Sequence, residues 1–169
     1  FYRCRLSNKL SVFDINDGTE VWSIDNDGGG LDPAFSPDSK DLIIAFYNLN
    51  IDRYDVATGE LIGSMRDDHK TDCLTVSRDG SVLVTGRSDG VIKIWNAESE
   101  EQIGTLVGHD TLITSLSLNS SSQSLASKSA DGSLKIWNMS LVRPDPLAAE
   151  RIDGIRAPEF SGDGRFVGW

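Results

Sequence analysis

The sequence predicts an all-β fold, and three observations carry that expectation. A pattern recurs every 41 or 42 residues. The apolar segments between turn residues are short, about five to seven residues, and several alternate in character, which suits half-buried strands. No stretch shows a helical apolar stripe with caps.

The repeat is clearest where Ser88-Asp89-Gly90-Val91-Ile92-Lys93-Ile94-Trp95-Asn96 is matched 42 residues later by Ala130-Asp131-Gly132-Ser133-Leu134-Lys135-Ile136-Trp137-Asn138. Stepping back by 41 from Trp95 reaches Tyr54-Asp55, and by 41 again Phe13-Asp14. A second ladder runs through Phe35-Ser36-Pro37-Asp38, Val76-Ser77-Arg78-Asp79, Leu118-Asn119-Ser120-Ser121 and Phe160-Ser161-Gly162-Asp163, spaced by 41, 42 and 42. Asp17-Gly18 and Thr58-Gly59 follow the aromatic pair as tight turns between strands.

The best unit reads as strands at 112–118, 124–128 and 133–138, with 101–106 as the outer strand of the unit before. A repeat of this length with four strands and a terminal aromatic-Asp pair is the signature of a β-propeller blade. The expected order is a half-blade over 1–24, blades over about 31–65, 71–106 and 112–152, and a half-blade over about 155–169, together about four blade-equivalents of four-stranded antiparallel sheet. Arg143-Pro144-Asp145-Pro146 obscures the last outer strand, because proline removes a ladder donor, and that strand is expected within 147–152.

With these motifs the chain resembles the WD-repeat family, most strongly from Thr71 to Met139. The resemblance implies a fragment of a closed ring of seven or eight blades, although half-blades that complement each other, within or between chains, are an open alternative. It also implies a buried hydrogen-bond network of His109, Ser127, Asp131 and Trp137. Indole and imidazole nitrogens inside a β-core need partners, and a turn carboxylate can supply one. The preceding blade offers Thr85, Asp89 and Trp95, while His69 stands 7 residues before Val76 where His109 stands 9 before Leu118, and so is out of register. In the blade before that, the corresponding Asn26, Ile44, Asn48 and Tyr54 cannot assemble such a network. The Ser127, His109 and Asp131 set imitates a catalytic triad, but the repeat explains each member by its position, so the expectation is structural.

Composition narrows the function classes. Charged residues are 25% and apolar ones 38% of 169, ordinary for a folded globular chain. Acidic residues outnumber basic ones 26 to 16, so nucleic acid and anionic membranes are repelled on average. No apolar run approaches the roughly 20 residues of a membrane-spanning helix. The opening Phe1-Tyr2-Arg3-Cys4 suggests a piece of a longer polypeptide. Cys4 and Cys73 are too few and too distant for a secreted disulfide framework and read as reduced, buried thiols. Asn119-Ser120-Ser121 and Asn138-Met139-Ser140 match a glycosylation sequon too short to be informative. Gly28-Gly29-Gly30 lacks the lysine and helix of a phosphate loop and reads as a connection between blades. Neither metal-ligand spacing nor a cofactor motif is present, and Asp67-Asp68 and Glu98 with Glu100-Glu101 read as solvated turn charges.

The functional expectation is a non-catalytic scaffold or adaptor, intracellular, with no cofactor, that binds proteins or peptides within a multiprotein complex. Its candidate contact residues are Tyr47, Asn48, Arg87, Ser88, Asp110, Thr111 and Lys128, which belong to the loops at one end of the blades. The alternatives are the propeller part of a multidomain signalling protein or enzyme, and a reader of basic histone-type peptides.

Overall fold

The computed structural model describes the backbone of residues 2–6, 9–25, 30–139, 146–151, 159–160 and 167–168, with side chains over 9–25 and 33–139. Asn26, Gly28, Gly29 and the 143–145 segment lie outside the described residues, as do the side chains of Cys4 and of everything after Met139. The elements are all strands: β1 (Tyr2–Leu6), β2 (Lys9–Asp14), β3 (Glu20–Asp25), β4 (Gly30–Phe35), β5 (Asp41–Phe46), β6 (Asn50–Asp55), β7 (Leu61–Arg66), β8 (Thr71–Val76), β9 (Val82–Arg87), β10 (Ile92–Asn96), β11 (Gln102–Leu106), β12 (Ile113–Leu118), β13 (Ser124–Ser129), β14 (Ser133–Asn138), β15 (Pro146–Arg151), β16 (Glu159–Phe160) and β17 (Val167–Gly168).

The chain divides into two compact units, 1–71 and 72–169. The first holds the sheets β1-β2-β3 and β4-β5-β6-β7; the second holds β8-β9-β10-β11, entered at Thr71, together with β12-β13-β14-β15 and β16-β17. Each sheet is an antiparallel meander, the topology of a propeller blade. Pro146 opens β15, an edge strand of its sheet, a position that proline tolerates.

The turn chemistry explains why the same path repeats. After the first strand of a sheet, Asp38 Oδ1 accepts the Ser36 hydroxyl at 2.7 Å and the Lys40 N–H at 3.2 Å. Asp79 repeats this with Ser77 at 2.6 Å and the Ser81 N–H at 3.1 Å. Between the third and fourth strands, Asp55 Oδ1 caps the N–H groups of Ala57 and Thr58, and Asn96 Oδ1 those of Glu98 and Ser99. These short side chains bond their own backbone a few residues on, so they specify turns rather than strand. Between the second and third strands the chain passes through the left-handed region, at Gly90 and Gly132 with φ of 85° and at Leu49 with φ of 75°.

Beside each aromatic of the third strand the ladder to the outer strand slips by one residue, between Val12 and Phe13, Arg53 and Tyr54, Ile94 and Trp95, and Ile136 and Trp137. The extra outer residues include Val21, Ile62 and Ile103, all exposed. A bulge at that point twists the edge and discourages pairing with another chain.

Each unit has its own core. In the first, Leu10, Val12, Leu42, Ile44, Phe46, Tyr54 and Val56 pack together. There Trp22 donates through Nε1 to the Val56 carbonyl at 2.8 Å, and its ring lies over Gly59, where a Cβ would come within 2.8 Å. In the second, Cys73, Val84, Ile92, Ile94, Leu106, Ile113, Leu116, Leu125 and Trp137 form one cluster. Middle strands such as β5 and β9 are buried on both faces, so their sequences read as apolar runs, whereas β7 is largely exposed.

Candidate functional site

The polar residues that imitate a catalytic set meet in the third complete sheet. Trp137, on β14, is fully buried, and its Nε1 donates to Ser127 Oγ at 2.7 Å. His109, in the connection before β12, is buried and places Nε2 2.7 Å from Ser127 Oγ and Nδ1 2.9 Å from Ser133 Oγ. Asp131 accepts the Ser133 backbone N–H at 2.8 Å.

An indole nitrogen can only donate, so Ser127 Oγ accepts from Trp137 and keeps a second lone pair and its own proton for His109 Nε2. Both imidazole nitrogens are thereby engaged, Nε2 by Ser127 and Nδ1 by Ser133, in either neutral tautomer. Trp137, Ser127, His109 and Ser133 form one connected chain, and Asp131 holds its far end through the Ser133 N–H. Burial, reinforced by the nearby Lys135, pushes the His109 pKa down to about 4, against weaker pulls upward from Asp131 and Asp110. The Ser133 hydroxyl and N–H hold the Asp131 carboxyl below its usual range. A neutral imidazole with both nitrogens engaged, beside a serine already bound to an indole, is a brace rather than a base next to a nucleophile.

The geometry refines the expected network in one respect. His109 reaches Asp131 through Ser133, a residue the sequence reading did not single out. Its repeat-mate in the preceding sheet is Val91, which carries no hydroxyl. Thr111 was assigned to binding, yet its hydroxyl lies 2.7 Å from Ser129 Oγ, which in turn reaches the carbonyls of Thr111 and Leu112. The loop before β12 is thus sewn to the end of β13.

In the preceding sheet Trp95 Nε1 donates to Thr85 Oγ1 at 3.0 Å, but no histidine joins them. His69 is exposed and lies 3.6 Å from Asp68. Asp89 turns instead to Arg87, accepting from Nε at 3.1 Å and Nη2 at 2.6 Å, a forked ion pair. This corrects the expectation for Arg87. It is 4% exposed and sits at the end of β9, so it is an internal brace and not a loop contact. Its repeat-mate is Ser129; a long cation fills the space that hydroxyls fill one sheet later. In the sheet before, Tyr54 donates to Asp52 at 3.3 Å, and burial, then the Asp52 charge, pushes its pKa up to about 12. Ile44 and Asn48 take no part, Asn48 Oδ1 capping the Asn50 N–H instead.

Of the remaining contact candidates, Tyr47 and Asn48 are exposed in the first unit, with the Lys70 ammonium 5.0 Å above the Tyr47 ring. In the second unit Ser88, Asp110 and Thr111 are exposed on adjoining loops. The contact is close: a Cβ at Gly90 would lie 2.4 Å from the His109 carbonyl and 2.9 Å from that of Thr111. Lys128 is half-buried on β13. Cys73 is buried with Sγ 3.4 Å from the Ile113 carbonyl. Among the described residues no group of His, Cys, Asp or Glu could hold a metal ion, and no helix is long and apolar enough to cross a membrane.

The brace makes a pH prediction. His109 titrates near 6.5 when unfolded and near 4 when folded, so between these values the unfolded chain binds the extra proton. Its contribution to stability is full above the unfolded value and is lost as pH falls toward the folded one. Urea unfolding measured across that window should lose part of its pH slope in His109→Gln. An unchanged slope would show that the imidazole is not held neutral.

The "WD domain, G-beta repeat" family model matches residues 59–96 and 100–138. Each match begins in the turn before an outer strand and ends in the third strand of the following sheet, one strand out of step with the sheets. Over 120 residues the chain is 30% identical to Pre-mRNA-processing factor 19 homolog 2 of Arabidopsis thaliana, covering 68% of this chain and 22% of the relative. It is 31% identical over 108 residues to Periodic tryptophan protein 2 homolog of Schizosaccharomyces pombe, covering 57% and 13%. With eukaryotic translation initiation factor 3 subunit I of Neurospora crassa it shares 33% identity over 93 residues, covering 52% and 25%. The chain thus spans a quarter or less of the length of these relatives.

Proposed function

Because this chain carries WD repeats, we propose that it is a non-catalytic, intracellular interaction platform that binds a protein or peptide through the loops between the second and third strands and between successive sheets. One observation carries the reading: Ser127, His109 and Asp131 are engaged in a structural brace, while the exposed polar groups of Asp110 and Thr111 lie on the connection that the brace holds. His109 and Ser127 position the connection that displays Asp110 and Thr111. Rigid sheets presenting variable loops are suited to recognition, with little ordering entropy lost on binding. The names of the relatives, a pre-mRNA-processing factor and a translation initiation factor subunit among them, fit work inside multiprotein complexes. Tyr47 in the first unit, and Ser88 with Asp110 in the second, are the proposed contacts.

The test is affinity capture with the full-length protein, then measurement of the captured partner against Tyr47→Ser and Asp110→Lys. Neither side chain belongs to a core cluster or to the brace, so melting should not change. At least one variant should bind roughly tenfold or more weakly, the loss expected of a central contact. Retention of every partner at native affinity by both variants would remove these loops from the interface.

A further inference from the structure

The turn between the first and second strands is built the same way in three sheets. Ser36, Ser77 and Asn119 each donate their backbone N–H across the turn, to the carbonyls of Asp41, Val82 and Ser124. The fourth residue, Ser39, Gly80 or Ser122, takes a positive φ of 59°, 76° or 57° and donates back to the first. The first residue's side chain accepts the N–H of the sixth, through Ser36 Oγ at 2.9 Å, Ser77 Oγ at 2.9 Å and Asn119 Oδ1 at 3.0 Å. The fifth residue's carbonyl anchors the chain after the third strand, where Val56, Ala97 and Met139 donate to Lys40, Ser81 and Gln123.

At the third place the charge changes. Asp38 and Asp79 place a carboxylate there, bonded by the first residue's hydroxyl and the fifth residue's N–H. Those donors hold both carboxyls below the usual range, Asp79 at about 2. In the third sheet the same place holds Ser121, which is exposed. The turn around it, 118–124, has no charged residue, and Asn119 stands at its first place and Gln123 at its fifth.

We propose that Ser121 is a phosphorylation site, at which modification supplies the anionic acceptor that its two repeat-mates carry permanently as aspartate. The co-reactant is a nucleoside triphosphate and the catalyst a separate Ser/Thr kinase. The Ser121 Oγ attacks the γ-phosphorus and forms the new O–P bond. The bond from that phosphorus to the β,γ-bridging oxygen breaks, the nucleoside diphosphate departs with the electron pair, and the hydroxyl proton passes to the kinase's base. The phosphoserine, with three acceptor oxygens, then takes the donors of the turn and stiffens the β12–β13 connection. Ser120 is the natural control, since its repeat-mates Pro37 and Arg78 place no acceptor there.

Two measurements test this on the full-length protein. In urea unfolding, Ser121→Asp and genetically encoded phosphoserine at 121 should each lower the unfolding constant by roughly two- to tenfold, the worth of one net hydrogen bond, while the same changes at Ser120 should not. Mass spectrometry of protein from its own cells, prepared with phosphatase inhibitors, should find a phosphatase-sensitive phosphoryl group on Ser121. Equal or unfavourable effects at 121 relative to 120 would overturn the turn argument, and an unmodified Ser121 in that preparation would overturn the site.

Discussion

Trp137→Ala is expected to cost about 3–5 kcal/mol of unfolding free energy, the range for deleting a fully buried indole. Trp137→Phe should cost roughly 1–3 kcal/mol, because a ring remains but a donor is lost from a buried network. The indole has no exposed surface and joins Ile113, Leu116 and Leu125 in the core of the second unit. It meets His109 edge-on, with ring centroids 6.1 Å apart and planes at 64°. Its N–H is a fixed donor onto Ser127 Oγ, so phenylalanine removes one hydrogen bond from the buried network while leaving the contact between Ser127 and His109 in place. The pair of variants therefore separates packing from polarity, measured as urea midpoints at neutral pH. A phenylalanine variant within about 0.5 kcal/mol of the parent would deny the network any role beyond filling space.

Much of this was legible in the sequence because the repeat ties several signals to the same places. The spacing of Trp95 and Trp137 located both third strands, and Ser127, His109 and Trp137 were found together by position alone. What stayed hidden depends on how side chains are shared out in three dimensions. Arg87 ends a strand and is charged, which in a linear reading suggests a surface. Its burial follows from Asp89 lacking a histidine relay and taking a guanidinium instead, a trade visible only when both side chains are placed. Ser133 was overlooked because a serine beginning a strand has no signature of its own; it matters only because His109 Nδ1 lies 2.9 Å away.

Gly86 shows the same limit from the side of packing, and its replacement by alanine is the second large effect expected. The residue lies inside β9, where glycine loses more entropy on folding than alanine, so the local expectation is that Gly86→Ala stabilises by about 0.4–1 kcal/mol. The neighbouring sheet reverses the sign. A Cβ at Gly86 would stand 2.6 Å from Ile113 Cγ2, 2.7 Å from Ile113 Cβ and 2.8 Å from Cys73 Sγ. Neither neighbour can swing away: Ile113 has no exposed surface, Cys73 has 4%, and the Ile113 contact is at Cβ, fixed by the backbone of β12. The added methyl must therefore push β12 off β9, an overpacking cost of about 1–3 kcal/mol or more. Its repeat-mates confirm that the constraint is one of contact and not of conformation, since Ala45 and Lys128 occupy the same place in β5 and β13. Shortening Ile113 to alanine removes the struck Cγ2, so Gly86→Ala and Ile113→Ala should couple: the double variant should lose less than the sum of the two single losses, by more than the roughly 0.3–0.5 kcal/mol tolerance of additivity. A stabilising Gly86→Ala, or strict additivity with Ile113→Ala, would mean that β9 and β12 do not meet at this distance.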